Sequence, residues 1–409
     1  METKIAVLAT CDTKGEEALY LKQQILALGG DPIIIDIGIK GEPDGIVPDI
    51  DHRHLAELVG LDIEDMRNAP TRGSAIDMMT KALDACLQEL MEEGLLSGVV
   101  CIAGASGSVL VSSPMQALPY ALPKLIVSPI ASGTRQFAPF VGVSDMTIMH
   151  SVVDILGLNH LSRRIFANAA GAIVGMARAY RMQSAKALPA EKCIGITMYG
   201  QTTQGVIHAK ALLEKNGYTC MVFHGNGVGG PSMERLIRQN TFVGILEYNL
   251  SEMVGNTVGG FTKCSPDRLS VAGSIGLPQV AVPGSCDFMN LYPFETELEQ
   301  YRGRVIYNHN KSFPLARITK EEGMILAEAI AQKLNASKGP VHVVLPLRGF
   351  SAVNVEGGPF WDKEADDAFR SMMKENLSAH IPVTEVDANI NERICGETAA
   401  KALLALIES

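Results

Sequence analysis

Val100-Cys101-Ile102-Ala103-Gly104-Ala105-Ser106-Gly107-Ser108 is a short apolar run that breaks into glycines and hydroxyls immediately before a helical pattern. A strand buried on both faces reads this way. Where it stops, the backbone amides, the small side chains and the N-terminus of the next helix favour an anion, and a phosphate is the one expected. Three other stretches read as strand ends of the same kind: Thr10-Cys11-Asp12-Thr13-Lys14-Gly15, Ser132-Gly133-Thr134-Arg135 and, in a second half, His224-Gly225-Asn226-Gly227-Val228-Gly229-Gly230. Open α/β sheets bind ligands at the carboxyl ends of their strands, so function is sought in these loops.

Outward from the central run, Ile5 to Thr10 is a compact apolar strand, and Ala18, Leu21, Ile25 and Leu28 mark one face of the helix after it. Thr13 and Glu16 have the spacing of a capping box for that helix. Pro32 to Ile39 is the second strand, completing a βαβ unit. Lys40 to Asn68 turns polar and carries a short helix near His54 to Val59; an excursion this long is usually functional or mobile. A helix from Ser74 to Glu93 leads back to the glycine-rich strand. Strands at Lys124 to Ser128 and Phe140 to Val143 follow, then helical patterns at Ser151 to Leu156 and Arg163 to Arg181. Apolar periodicity is lost at Gln183 to Lys192, which sets a first subdomain at 1–182, a linker at 183–192 and a second subdomain at 193–409.

The second half opens as the first does, with a strand from Ile194, a helix to Lys215 and a strand from Tyr218 to Phe223. Further strands fall at Phe242 to Glu247, Gln279 to Val282, Arg304 to Tyr307, Val341 to Leu345 and Val383 to Val386, with a capping box at Thr319 and Glu322 and a last helix from Gly396 to Ile407. Alternating β and α in both halves gives two Rossmann-like three-layer α/β/α subdomains with mostly parallel sheets and a cleft between them.

Composition narrows the function classes. The 409 residues are 47% hydrophobic and 20% charged, as in globular proteins, and a net charge of -10 argues against a duplex nucleic-acid binder. The eight cysteines form no Cys-x-x-Cys pair, and several sit in apolar strands as small hydrophobes. With no apolar run near the ~20 residues of a membrane span and no charged leader before Ile5, the expectation is a cytoplasmic protein with no membrane partner.

Asp12, Thr13 and Lys14 lie on the first β-to-α turn, where Lys14 offers a point charge, Thr13 a hydroxyl, and Asp12 a base or a ligand for Mg²⁺; helix capping is the alternative. Gly104, Ala105, Ser106, Gly107 and Ser108 offer amides and hydroxyls to phosphate, or a tight turn. Arg135, after Ser132, Gly133 and Thr134, is placed to grip phosphate oxygens or to pair with Asp145 or another surface carboxylate. Neither a Walker A pattern nor G-x-S-x-G occurs. Gly225, Gly227 and Gly230 make a formal G-x-G-x-x-G, with Glu247 some twenty residues on, but after the second strand of their half rather than the first; they read as a dinucleotide site or as a glycine-rich loop at the cleft. His52 and His54 read as a solvated surface pair in preference to metal ligands. His224 and His309 each end an apolar strand and suit ligand contact or proton transfer, and Asp287 and Glu356 complete an acidic set.

Taken in order, these motifs, with Pro283-Gly284-Ser285-Cys286-Asp287 and Asn308-His309-Asn310, resemble the successive signatures of one uncharacterised two-subdomain Rossmann-like family, typified by the N-terminal ATP-binding domain of the tomato mosaic virus resistance protein. The resemblance covers essentially the whole chain. It implies two Rossmann-like subdomains, ATP binding and a homodimer. The leading expectation is an adenine-nucleotide-binding protein that holds ATP, with Mg²⁺ on Asp12, against the strand-end loops at the interdomain cleft. Two alternatives stand beside it: an enzyme acting on a small phosphorylated or carboxylated metabolite through His309, Asp287 or Glu356, and an NAD-dependent oxidoreductase using Gly225 to Gly230.

Overall fold

The computed structural model describes residues 4–131, 138–184, 191–308 and 313–409. The chain divides into two compact units, Met1–Ala187 and Leu188–Ser409. In the first, the order is β1 (Lys4–Ala9), α1 (Cys11–Ala27), β2 (Pro32–Asp36), α2 (His52–Leu58), α3 (Ile63–Arg67), α4 (Arg72–Glu92), β3 (Leu96–Ile102), α5 (Ala105–Ala117), β4 (Lys124–Ser128), α6 (Ala138–Val141), β5 (Thr147–His150) and α7 (His160–Ser184). All pairings are parallel, and the strands lie in the order β2-β1-β3-β4-β5. The chain reverses direction across the sheet between β1 and β3, so the crevice at their carboxyl ends is where this topology places a ligand.

The strands alternate between two buried faces. Ala6, Leu8, Val99, Cys101 and Ile126 pack under α4 and α5, against Leu83, Leu87 and Val111. Ile5, Val7, Val100, Ile102 and Leu125 pack on the other side against Leu21 and Ile25 of α1 and Phe166, Ile173 and Ala177 of α7. Helices on both faces make the three-layer sandwich that the alternation of elements implies.

The second unit contains β6 (Cys193–Met198), α8 (Thr203–Lys215), β7 (Thr219–His224), α9 (Gly229–Arg238), β8 (Phe242–Glu247), α10 (Ser251–Thr257), α11 (Val271–Ser274), β9 (Gln279–Ala281), β10 (Phe288–Asn290), α12 (Glu295–Gln300), β11 (Ile306–Tyr307), β12 (Leu315–Arg317), α13 (Lys320–Asn335), β13 (Val341–Pro346), α14 (Lys363–Asn376), β14 (Val383–Val386) and α15 (Arg393–Glu408). Its six-stranded parallel sheet runs β7-β6-β8-β9-β13-β14, the first unit's order with one strand added, and β10-β12-β11 form a separate antiparallel sheet. The segment read as an ordinary strand near Tyr307 belongs to that small sheet.

Three local readings change. The apolar run at 140–143 is not a strand: α6 ends there, with Gly142 at φ 54°, and the sheet is continued by Thr147–His150, whose partly exposed side chains gave a weak apolar signal. Residues 151–156 form no helix, because Val152 has φ 64°. Thr10, rather than Thr13, is the N-cap of α1, and the Thr13 hydroxyl contacts Thr10 and Asp12 instead of closing a box with Glu16. The capping box of Thr319 and Glu322 is formed.

Asp36 ties the edge strand to its surroundings. It is fully buried; Oδ1 accepts from the amides of Cys11 (2.9 Å) and Gly38 (2.8 Å), and Oδ2 lies 2.7 Å from Nδ1 of His52. His52 is therefore a core residue and not a solvated surface histidine, and its partner is 16 positions away in sequence. Replacing Asp36 with Ala strands two amides and an imidazole in the interior. The expected loss is about 3–5 kcal/mol, read as a lower urea midpoint for the first unit; a loss under about 1 kcal/mol contradicts this account of the anchor.

Candidate functional site

A cleft of about 910 Å³ opens at the β1/β3 crevice, lined entirely by residues of the first unit. Its floor is the two turns singled out in the sequence: Thr10, Asp12, Thr13 and Lys14 after β1, and Gly104, Ala105, Ser106 and Gly107 after β3. Neither α1 nor α5 has a side-chain N-cap hydrogen bond, so the first-turn amides of α5 are left for a ligand or solvent. At Lys14 the backbone leaves helical geometry (φ -134°, ψ 25°), which kinks α1 inside the cleft. Gly15 is required by the next layer: a Cβ there would lie 2.1 Å from the carbonyl oxygen of Asp44, where the chain after β2 crosses α1.

That crossing chain, with the helices after it, supplies a wall which the motifs did not reveal. Lys40, Arg67 and Arg72 line the cleft beside Ile39, Met66, Ala75 and Ile76, with Leu110 from α5. Arg67 is a strut: it donates to the carbonyl of Ile39 (2.8 Å), to Glu64 (2.7 Å) and to Glu42 (2.8 Å). Arg72 donates to the Ser106 hydroxyl at 2.8 Å, which joins the start of α4 to the start of α5. Among the described residues, Lys14, Lys40 and Arg72 have no carboxylate within ion-pair distance. Asp12 faces them, accepting from the Gly41 amide at 3.2 Å and the Thr13 hydroxyl at 3.2 Å. The polarity of Lys40 to Asn68 was the available signal for this wall; which of its many charges faces inward was not readable.

Ser108 is not part of the lining. It is fully buried, with its hydroxyl 3.0 Å from the Gly104 carbonyl and 2.8 Å from the Ser128 hydroxyl, so it fastens the turn to β4. Ser132, Gly133, Thr134 and Arg135 lie outside the described residues, as does His309. Among the described residues, Lys124 of β4 pairs with Asp145 at 2.8 Å.

In the second unit the glycine motif is already filled. The amides of Gly227 (2.9 Å) and Gly230 (3.0 Å) both donate to Oε1 of Glu252, while Oε2 takes Nε of Arg268 at 2.6 Å. Arg268 is fully buried, forks onto both oxygens of Glu247 at 2.6 Å and lies 3.6 Å from Glu234. A Cβ on Gly230 would sit 1.9 Å from Glu252 Oε2. The amides that would hold a pyrophosphate thus hold a carboxylate of the protein itself, which overturns the reading of Gly225, Gly227 and Gly230 as a dinucleotide fingerprint. His224 is exposed and stacks on Tyr199 at 5.0 Å.

Asp287 and Glu356 do not form an acidic set. Glu356 is exposed on the turn before α14. Asp287 is fully buried in a ring of hydrogen bonds: Ser351 donates to its Oδ2 (2.7 Å), the Ser351 hydroxyl accepts from the Asn354 amide (3.1 Å), Asn354 Nδ2 donates to Asp366 (2.9 Å), and Arg317 bridges Asp366 (2.6 Å) and the Asp287 carbonyl (2.7 Å). Among the described residues no group of three or more His, Cys, Asp or Glu side chains is disposed to hold a metal.

The fold and the cleft define a two-unit α/β protein with a cleft at the switch point of its first sheet. The chain matches the N-terminal domain of the Uncharacterised protein family (UPF0261) over residues 3–182 and that family's C-terminal domain over residues 191–407, and it belongs to this family. A UPF0261 protein of Clostridium tetani is 39% identical over 410 residues, covering 100% of both chains. The ToMV resistance protein Tm-1(GCR237) of Solanum lycopersicum is 33% identical over 379 residues, which span 88% of this chain and 50% of that protein. Among solved structures, the UDP-GlcNAc 2-epimerase of Methanocaldococcus jannaschii aligns over 92% of this chain and 100% of its own at 10% identity; its TM-score of 0.23 is too low to carry any argument. No helix among the described residues is long and apolar enough to cross a membrane.

Burial pushes the Asp287 carboxyl up to about 7, against the pull of Arg317 and Ser351. A raised carboxyl binds its proton more tightly in the folded chain, so its contribution to stability is complete below the unfolded carboxyl range and is lost as pH rises toward 7. Asp287→Asn should therefore gain stability relative to wild type between pH 4.5 and 7.5, in chemical denaturation at several pH values. A difference that stays constant across that window would show that Asp287 does not titrate there.

Proposed function

We propose that the first unit binds an adenine nucleotide in this cleft, with its phosphates against the floor and its base against the apolar wall. The observation that supports the reading is the set of three cations without carboxylate partners among the described residues, Lys14, Lys40 and Arg72, beside the uncapped start of α5. Helix N-termini present amides and a positive dipole end to anions, and a guanidinium adds bidentate grip. Ile39, Met66, Ile76 and Leu110 offer an apolar surface for a base. The volume of about 910 Å³ falls within the roughly 300–1,000 Å³ of small-molecule sites. Adenine is favoured over other bases by the family resemblance, which implies ATP.

Magnesium fits as the nucleotide's companion and not as a resident ion. Asp12 is a single carboxylate at the cleft floor, and Mg²⁺ commonly takes one or two carboxylates plus phosphate oxygens and water. Ser106 and Thr13 supply hydroxyls to the same phosphates, while Arg67, committed to Glu42 and Glu64, keeps the wall in place.

Calorimetric titration of the full chain with ATP and Mg²⁺ tests the assignment. Arg72→Ala and Lys14→Ala should each weaken ATP by about tenfold or more, the usual loss for a hydrogen bond to a charged group. Arg238→Ala, which removes an exposed ion pair with Asp267 in the second unit, should leave affinity unchanged. Undetectable ATP binding by the wild-type chain, or equal affinities in all four proteins, rejects the cleft as the nucleotide site.

A further inference from the structure

The segment from Ser151 to Gly157 follows β5, and its residues Asp154, Ile155 and Leu156 line the cleft. Its backbone is under strain. The Val153 amide donates to the Ser151 carbonyl at 2.7 Å, closing a three-residue turn around Val152, whose φ is 64°. Positive φ at a β-branched residue is a true outlier, and a three-residue turn of this hand is the rare and strained form. The Ser151 hydroxyl donates to the Val153 carbonyl at 2.6 Å and braces the turn, while the Val152 side chain itself is 60% exposed. Leu156, at the cleft, is 81% exposed.

Further anchors lie just downstream. Ile155 is buried at 2% exposure in the core beneath α1 and α7, and the Gly157 amide donates to Glu17 Oε1 at 2.6 Å, Glu17 itself being buried at 2%. The segment is clamped at Ile155 and Gly157 while two apolar side chains stand in water, Leu156 at the cleft and Val152 on the turn before it. Backbone strain and apolar exposure are both unfavourable, and a single movement of Val152 out of the left-handed region over a bound ligand relieves both.

We propose that this segment is a strap that closes over the occupied cleft, with Val152 relaxing and Leu156 covering the apolar part of the ligand. The proposal rests on the reading of the cleft as a nucleotide site. Strain present in the open form and absent from the closed form adds to ligand affinity, whereas strain common to both does not.

The test uses the full chain with ATP and, as a probe without a base, inorganic tripolyphosphate. Asn tolerates positive φ better than Val, and Gly adopts it without steric cost, so Val152→Asn and Val152→Gly both relax the open form. Each should raise the melting temperature of the ligand-free protein and weaken ATP by about tenfold, the size of one such backbone strain. Leu156→Ser should weaken ATP but not tripolyphosphate. If wild type binds ATP and both Val152 variants bind it equally well, the strap is overturned and the nucleotide reading stands. If wild type binds neither probe, the nucleotide reading fails, and the strap fails with it.

Discussion

A single buried carboxylate sets the geometry on which the cleft depends. Asp36 ends β2 with no exposed surface, and its two oxygens gather the amide that begins α1, the amide of Gly38 and the ring of His52. A buried charge is stable only where donors surround it, and here three do. The consequence is positional. The turn after β1, the chain leaving β2 and helix α2 are all referred to one point, and the first two of these supply part of the cleft floor and of its outer wall.

The two units repeat one strand order and treat the corresponding space differently. In the first, small residues end β3 and the crevice stays open, with cations from α1, the excursion and α4 directed at it. In the second, Asn249 fills the end of β8 and bonds Ser285 at 2.9 Å, while Glu252 occupies the glycine loop. Arg268 holds that acid cluster together at the expense of desolvation, and burial pushes Glu234 up to about 7 in spite of Arg268. Such clusters are weak evidence for stability, and this one fixes a loop that would otherwise be free to take an anion. The same topology therefore yields a unit with an open cleft and a unit whose glycine loop is self-filled.

Much of this was legible in the sequence, for physical reasons. Val99 to Ile102 and Ile5 to Ala9 are buried on both faces, so their apolar runs announce parallel strands, and the glycines and hydroxyls after them mark the turns that floor the cleft. Gly104 to Gly107 and Asp12 to Lys14 follow from local rules. Lys40 and Arg72 do not, because which charges of a polar excursion face inward depends on contacts such as Arg72 with Ser106, 34 residues apart. Distance in sequence also hid His52 behind its partner Asp36 and Glu252 behind the glycine motif. Ser108 and Asp287 carry side chains suited to chemistry, yet burial assigns both to hydrogen-bond networks; a single sequence displays residue type and spacing but not burial. Val152 gave no sign at all, since strain arises when tertiary contacts override local preference.

The most direct measurement is a diffraction experiment on crystals of the full chain grown with ATP and Mg²⁺. The account predicts triphosphate density within hydrogen-bond distance of the Ala105 to Gly107 amides, Lys14 and Arg72, with adenine beside Ile39, Met66 and Leu110. Nucleotide density at the Gly225 to Gly230 loop, or a first-unit cleft holding only solvent at saturating ATP, would contradict it.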